Sequence, residues 1–170
     1  MVLTPETTGM GATPWVLYAP ADLPHSVDGK VRDLVRRWFD CRLAGLPTRK
    51  TLAPETWPQL LGSSYLLDRL ACDDYRFRVA GSQFRSLHEG EVIGRKLSEV
   101  LPSDSRASGL RGDIAACTGG GWPVFRTGWT TWLHARPPVR FQRVMLPLSA
   151  SGEGCVAQIF GAVRFYLPQE

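Results

Sequence analysis

The stretch Tyr75-Arg76-Phe77-Arg78-Val79-Ala80-Gly81-Ser82 decides the fold class. Tyr75, Phe77 and Val79 alternate with Arg76 and Arg78, which is the period of a β-strand with one buried face and one wet face. Asp73-Asp74 just ahead of it reads as a polar turn, and the apolar run 64–70 ahead of that reads as a second short strand. Two such runs joined by a short polar turn predict an antiparallel hairpin.

Toward the N-terminus the period changes to that of a helix. Val31, Leu34, Val35, Trp38 and Arg42/Leu43 recur at helical spacing, with Phe39 beside the stripe and Arg32, Arg36, Arg37 and Asp40 on the opposite face. This predicts an amphipathic helix within 26–46. Ser26 or Asp28 caps its first turn and Gly45 with Pro47 ends it. A second, short helix is expected over 54–61, with Pro54 in its first turn and Gly62 as the stop. Residues 1–25 are rich in Pro, Thr, Gly and Ala and hold no period, so they read as a flexible arm. The apolar patch Trp15-Val16-Leu17-Tyr18 within that arm is expected to dock on the domain or on a neighbouring subunit.

Toward the C-terminus, residues 81–118 break into short helical pieces punctuated by Gly81, Gly90, Gly94, Pro102, Gly109 and Gly112. The longest is expected to start at Ser103 or Asp104 and to run to about Cys117, stopped by Gly119-Gly120-Gly121. Three strands follow, over 123–132, 139–148 and 156–166. In the second, Val139 and Phe141 share a phase that slips after Gln142-Arg143 to Val144, Leu146 and Leu148, which reads as a bulge. The third is apolar on both faces, with Gly161 in its middle, and belongs at the centre of a sheet. Helices and strands in separate blocks predict an α+β fold with an antiparallel sheet, one face covered by the N-terminal amphipathic helix.

Composition narrows the functions. The 170 residues are 44% hydrophobic and 21% charged, enough for one domain with its own core. No apolar run approaches the ~18 residues that span a bilayer, so membrane insertion is not expected. The N-terminus has no basic start followed by an apolar stretch, and Cys41, Cys72, Cys117 and Cys155 stand far apart. That pattern predicts reduced thiols and a cytoplasmic protein, and no CxxC or HExxH spacing marks a metal site. The net charge of +4 comes from 17 arginines and only three lysines, scattered along the chain. Nucleic-acid binders concentrate their basic residues on one face or arm, so a nucleic-acid partner is not expected. Asp68, Asp113, His88 and His134 are the only loose acid or base candidates, and their spacing builds no catalytic constellation.

The order and several of its segments resemble the PAS domain, and more closely a group of small stand-alone bacterial PAS-like proteins. The segments are Arg37-Trp38-Phe39 on the first helix; Leu46-Pro47-Thr48-Arg49 through Leu52-Ala53-Pro54 to Tyr65-Leu66-Leu67-Asp68; the opening stretch from Tyr75 to Ser82; Gly94 to Pro102; and Leu146-Pro147-Leu148-Ser149 closing at Gly152. Two departures are His88-Glu89-Gly90-Glu91, in a loop that borders the cavity in such domains, and Ser82 in place of a common Thr.

The resemblance implies a five-stranded antiparallel sheet with short helices over one face and a cavity beneath them. It implies a sensory or adaptor role in bacterial signal transduction, with no catalysis by the domain itself. Within it, 1–25 is the arm, 26–46 the helix and 47–167 the PAS domain. By position, the implied cavity residues are Phe84, Leu87, Ile93, Leu97, Ile114, Phe125, Trp129, Phe141 and Phe160. Val31, Leu34, Val35, Trp38 and Phe39 are expected to cover the sheet or to pair two subunits in a homodimer. The resemblance leaves the cofactor open but points away from flavin and haem: no Asn-Cys-Arg-Phe occurs, and residues 103–118 hold no His. Partners are expected to be a signalling protein and a small-molecule ligand. With only Leu167 to Glu170 after the last strand, the signal is expected to leave by non-covalent contact.

Overall fold

The computed structural model describes residues 13–88, 90–104, 107–131, 133 and 137–167. Its elements run β1 (Trp15–Val16), α1 (Gly29–Arg42), α2 (Arg49–Leu52), α3 (Pro58–Leu61), β2 (Ser64–Arg69) and β3 (Tyr75–Ala80). Then follow α4 (Ser82–Leu87), α5 (Leu97–Val100), α6 (Ser108–Gly120), β4 (Val124–Trp129), β5 (Arg140–Leu148) and β6 (Gln158–Tyr166). All strand pairs are antiparallel, in the order β1-β4-β5-β6-β2-β3. β2 and β3 form the expected hairpin, and the apolar β5 and β6 sit at the centre of the sheet.

The sheet has six strands, one more than the expected five. The extra strand, β1, comes from the segment read as a loose arm. The Trp15 ring meets Phe125 edge-on at 5.6 Å, and Leu17 N–H donates to the carbonyl of Pro123 at 2.8 Å. Leu17 and Leu23 are fully buried, so the apolar patch docks on its own domain. The arm's residues 1–12 lie outside the described residues.

Helix α1 covers one face of the sheet. Val31, Leu34, Val35 and Trp38 bury its apolar stripe against Leu66, Phe125, Val144, Leu146 and Phe160. Burying side chains of this size stabilises by about 1.5–3 kcal/mol each. Asp28 caps the helix by accepting from Lys30 N–H at 2.9 Å. The Trp38 indole Nε1–H donates to the carbonyl of Pro147 at 2.9 Å, which ties the helix to β5. Phe39 is half-buried and stacks on Trp122. The opposite face carries a second core, in which Leu67, Phe77, Phe141, Met145 and Val163 pack against residues of α4, α5 and α6.

Three expectations are corrected. The bulge lies in the β2–β3 hairpin, where Leu66 pairs Val79 but Leu67 pairs Phe77, leaving Arg78 as the extra residue. The slip turns Val79 outward, 39% exposed, and Ala80 inward. β5 instead pairs in unbroken register with both neighbours. Its apparent change of phase arises because Arg143, a charged residue, is buried on the inner face. The second helix, expected over 54–61, is two pieces, a 3₁₀ turn at Pro54–Thr56 and α3 beginning anew at Pro58, and the unexpected short helix α2 precedes them, set off by Ala53 with a left-handed φ of 50°. Finally, α6 starts at Ser108, later than Ser103 or Asp104, and stops at Gly121 with φ 70°.

The outer edges of the sheet are partly occupied. β1 lies along Val124 and Phe125 of β4. On the other edge, Gly94 N–H donates to the carbonyl of Phe77 at 2.7 Å, and Phe77 N–H donates to the carbonyl of Arg95 at 3.0 Å.

Candidate ligand cavity and its polar wall

Between α4, α5, α6 and the inner face of the sheet lies an apolar space of about 20 Å³. It has room for about one water molecule. Most of the wall is apolar, with Phe77, Phe84, Leu97, Ile114 and Phe141 among its residues, but three polar side chains reach it: Tyr65, His88 and Arg143.

Tyr65 reaches it because Gly161 has no side chain. Tyr65 and Gly161 are paired on β2 and β6, and a Cβ at 161 would stand 2.0 Å from Tyr65 Cζ. The phenol ring therefore lies across the bare backbone of β6. Its hydroxyl is buried and has no hydrogen-bond partner, and burial pushes its pKa up to about 12.

His88 follows the last residue of α4. Its ring stacks on Phe84 at 4.4 Å, and Nδ1 lies 2.9 Å from the Phe84 carbonyl. A carbonyl only accepts, so Nδ1 carries the proton and Nε2 of the neutral ring is an acceptor. Nε2 is buried without a partner. Burial holds the imidazole below its ordinary pKa, outweighing the Phe84 hydrogen bond that acts the other way.

Arg143 belongs to a buried charge cluster. Asp113, fully buried on α6, accepts from Arg126 Nε at 2.5 Å and Nη2 at 2.6 Å, and also from Arg143 Nη2. The cluster pins α6 to β4 and β5 together. The Arg143 guanidinium also lies over the Phe141 ring at 5.3 Å.

The sequence-expected residues divide among three places. Phe84, Leu97, Ile114 and Phe141 line the cavity, and Leu87 lies in the same core. Phe125 and Phe160 point to the other face, under α1. Ile93 and Trp129 are at the surface, 42% and 53% exposed. Among the described residues, the loose acid and base candidates do not converge. Asp113 is taken up by its two arginines, and Asp68 accepts from Arg78 at 2.6 Å and Gln158 at 2.7 Å. His134 lies outside the described residues. Cys117 is buried with its thiol pushed up by burial, in keeping with a small core residue. Sequence reasoning missed Tyr65, Arg126 and Arg143. A glycine in mid-strand was the available signal for the first, and a broken alternation was the signal for the third.

The fold agrees with a comparison against family models, in which the PAS domain model matches residues 28–164. The chain belongs to the PAS domain family. Its sheet and flanking helices are those of a PAS fold, a class of sensory and signalling modules. Among curated proteins, none matches. Among solved structures, the "Structure of an RNA-binding Light-Oxygen-Voltage Receptor" is similar at a TM-score of 0.48 and 17% identity. That match covers 68% of this chain and 34% of the other, so this chain spans about a third of that neighbour's length. Among the described residues, no helix is long and apolar enough to cross a membrane, and no group of His, Cys, Asp and Glu is placed to hold a metal ion.

Proposed function

We propose that this chain is a sensory and adaptor PAS module. It takes a small polar molecule, or the polar end of a larger ligand, into the inner cavity and passes the change to a partner protein by non-covalent contact. One observation carries this reading: Tyr65 Oη and His88 Nε2 are both buried, both unpartnered, and both on the wall of one apolar space. A buried polar group left without a partner costs about 1–3 kcal/mol. The two are chemically complementary to one occupant, since the phenol donates and Nε2 accepts. The space is the size of one water, so any larger occupant must push α4 or α5 outward. Binding and shape change are then the same event.

Native mass spectrometry of protein purified from its own cells tests this. The expected result is a small-molecule adduct that is weakened when Tyr65→Phe removes the donor and when His88→Phe removes the acceptor. A protein with no adduct, whose melting temperature no small polar metabolite raises, would overturn the ligand half of the reading and leave the adaptor half. That half finds its own support in an exposed aromatic and cationic patch on the sheet.

A further inference from the structure

Helix α1 covers only part of its face of the sheet. The residues Phe125, Val144 and Ala162 lie beneath it, and two rows of the same face run on beyond them. The first is Thr127, Gln142 and Arg164; the last is Trp129, Arg140 and Tyr166. No run of sequence announces this patch. The sheet register assembles it from three strands.

Its chemistry is one-sided. Trp129 is 53% and Tyr166 40% exposed, and Arg140 and Arg164 are exposed. The Arg140 guanidinium sits 5.5 Å over the Tyr166 ring, and Tyr166 Oη donates to Gln142 Oε1 at 3.0 Å. β4, β5 and β6 contain no Asp or Glu. At the start of α1, Asp28 caps the helix and Asp33 pairs with Arg36.

We propose that this end of the sheet docks an acidic segment of a partner protein, with an apolar or aromatic side chain of that segment seated on Trp129. The proposal rests on the adaptor half of the function above. Trp, Tyr and Arg are the residues in which binding energy concentrates at protein interfaces. Two exposed arginines on strands that carry no carboxylate select an acidic partner. A second copy of the chain fits poorly, because a two-fold interface would set Arg140 and Arg164 against their own copies. A single nucleic-acid strand fits less well than a protein segment. Tyr166 is already covered by Arg140 and tied to Gln142, so Trp129 alone offers an open ring, whereas strand-binding grooves stack successive bases along a cationic track.

The test is selection of random dodecamer peptides displayed on phage against the folded protein. Peptides rich in Asp and Glu around one aromatic or large apolar residue are expected. Their binding should fall at least about tenfold in Trp129→Ala. The double variant Arg140→Glu/Arg164→Glu should select basic peptides instead, a reversal that loss of folding cannot produce. Unchanged circular dichroism melting shows that both variants are intact. Four outcomes overturn the proposal. One is selected peptides without acidic excess. The second is tighter, Trp129-dependent binding of a fluorescent 15-mer of dT or rU. The third is a dimer by light scattering that Trp129→Ala turns into a monomer. Acidic peptides that bind undiminished to Trp129→Ala would overturn this surface while leaving the adaptor reading in place.

Discussion

Arg143 on β5 donates to Oδ2 of Asp113 on α6 in the interior of the protein, and Arg126 on β4 grips both oxygens of the same carboxylate. Removing the acid leaves two guanidinium groups without their counter-charge. Breaking one partner out of a buried charge cluster costs about 3–5 kcal/mol, so Asp113→Ala should be among the most damaging single substitutions in the chain. Arg143→Met leaves Asp113 with the two hydrogen bonds from Arg126 and should cost less, about 1–3 kcal/mol. Urea unfolding of the two variants gives the comparison. If Arg143→Met were the worse, the carboxylate would not be the centre of the cluster.

The same pair shows how far the sequence could be read. Strand and helix positions were legible because their apolar periods are set by local geometry, and the stripe Val31, Leu34, Val35 and Trp38 is buried as its spacing predicts. Arg143 was not legible. An arginine in a strand reads as a surface residue, and the carboxylate that lets it stay inside lies 30 positions away on a helix. The error then propagated, since an inward Arg143 looked like a slipped register. Position within the family pattern points Phe125 and Phe160 into the cavity, yet strand parity assigns them to the α1 face with Leu66 and Val144. Tyr65 was passed over because its reach depends on the absence of a side chain at Gly161, on another strand.

The contact between Tyr65 and Gly161 gives a second prediction. In Gly161→Ala the new methyl meets the phenol ring, and the ring must leave its place over β6. Overpacking of this kind costs about 1–3 kcal/mol. In Tyr65→Leu the ring is gone, so adding Gly161→Ala to that variant should cost much less than adding it to the native protein. Denaturant melts of the four proteins close the double-mutant cycle. Additive losses would mean that the two positions do not touch.

His88 predicts a pH dependence. Its imidazole is held below the ordinary 6.5 by burial, so the unfolded chain binds a proton that the folded chain resists. Stability is then complete above about pH 6.5 and declines as the pH falls below that value. Melting temperatures between pH 7.5 and 5 should fall in the native protein and fall less in His88→Phe, which keeps an aromatic ring against Phe84 and loses the titrating nitrogen. Equal slopes in the two proteins would place the pH dependence elsewhere.

Trp38 predicts a loss that packing alone does not explain. Trp38→Phe keeps a ring in the α1 interface but removes the Nε1–H bond to the Pro147 carbonyl. A buried carbonyl left without its donor costs about 1–3 kcal/mol. Phe39, half-buried beside it, should tolerate Phe39→Leu with a smaller change in urea midpoint. The reverse ranking would detach α1 from β5 as the source of stability.

The two edges of the sheet carry one further consequence. An open edge strand is a template on which a second molecule can add its own strand, and repeated addition leads to fibrils. Here β1 takes up part of the β4 edge, and the backbone of Gly94 and Arg95 takes up Phe77 on the β3 edge, beside the outward arginines Arg76 and Arg78. Main-chain ladders between molecules are thereby interrupted at both ends. At Val124, Phe125 and Phe77 a second molecule therefore meets side chains rather than free main-chain groups.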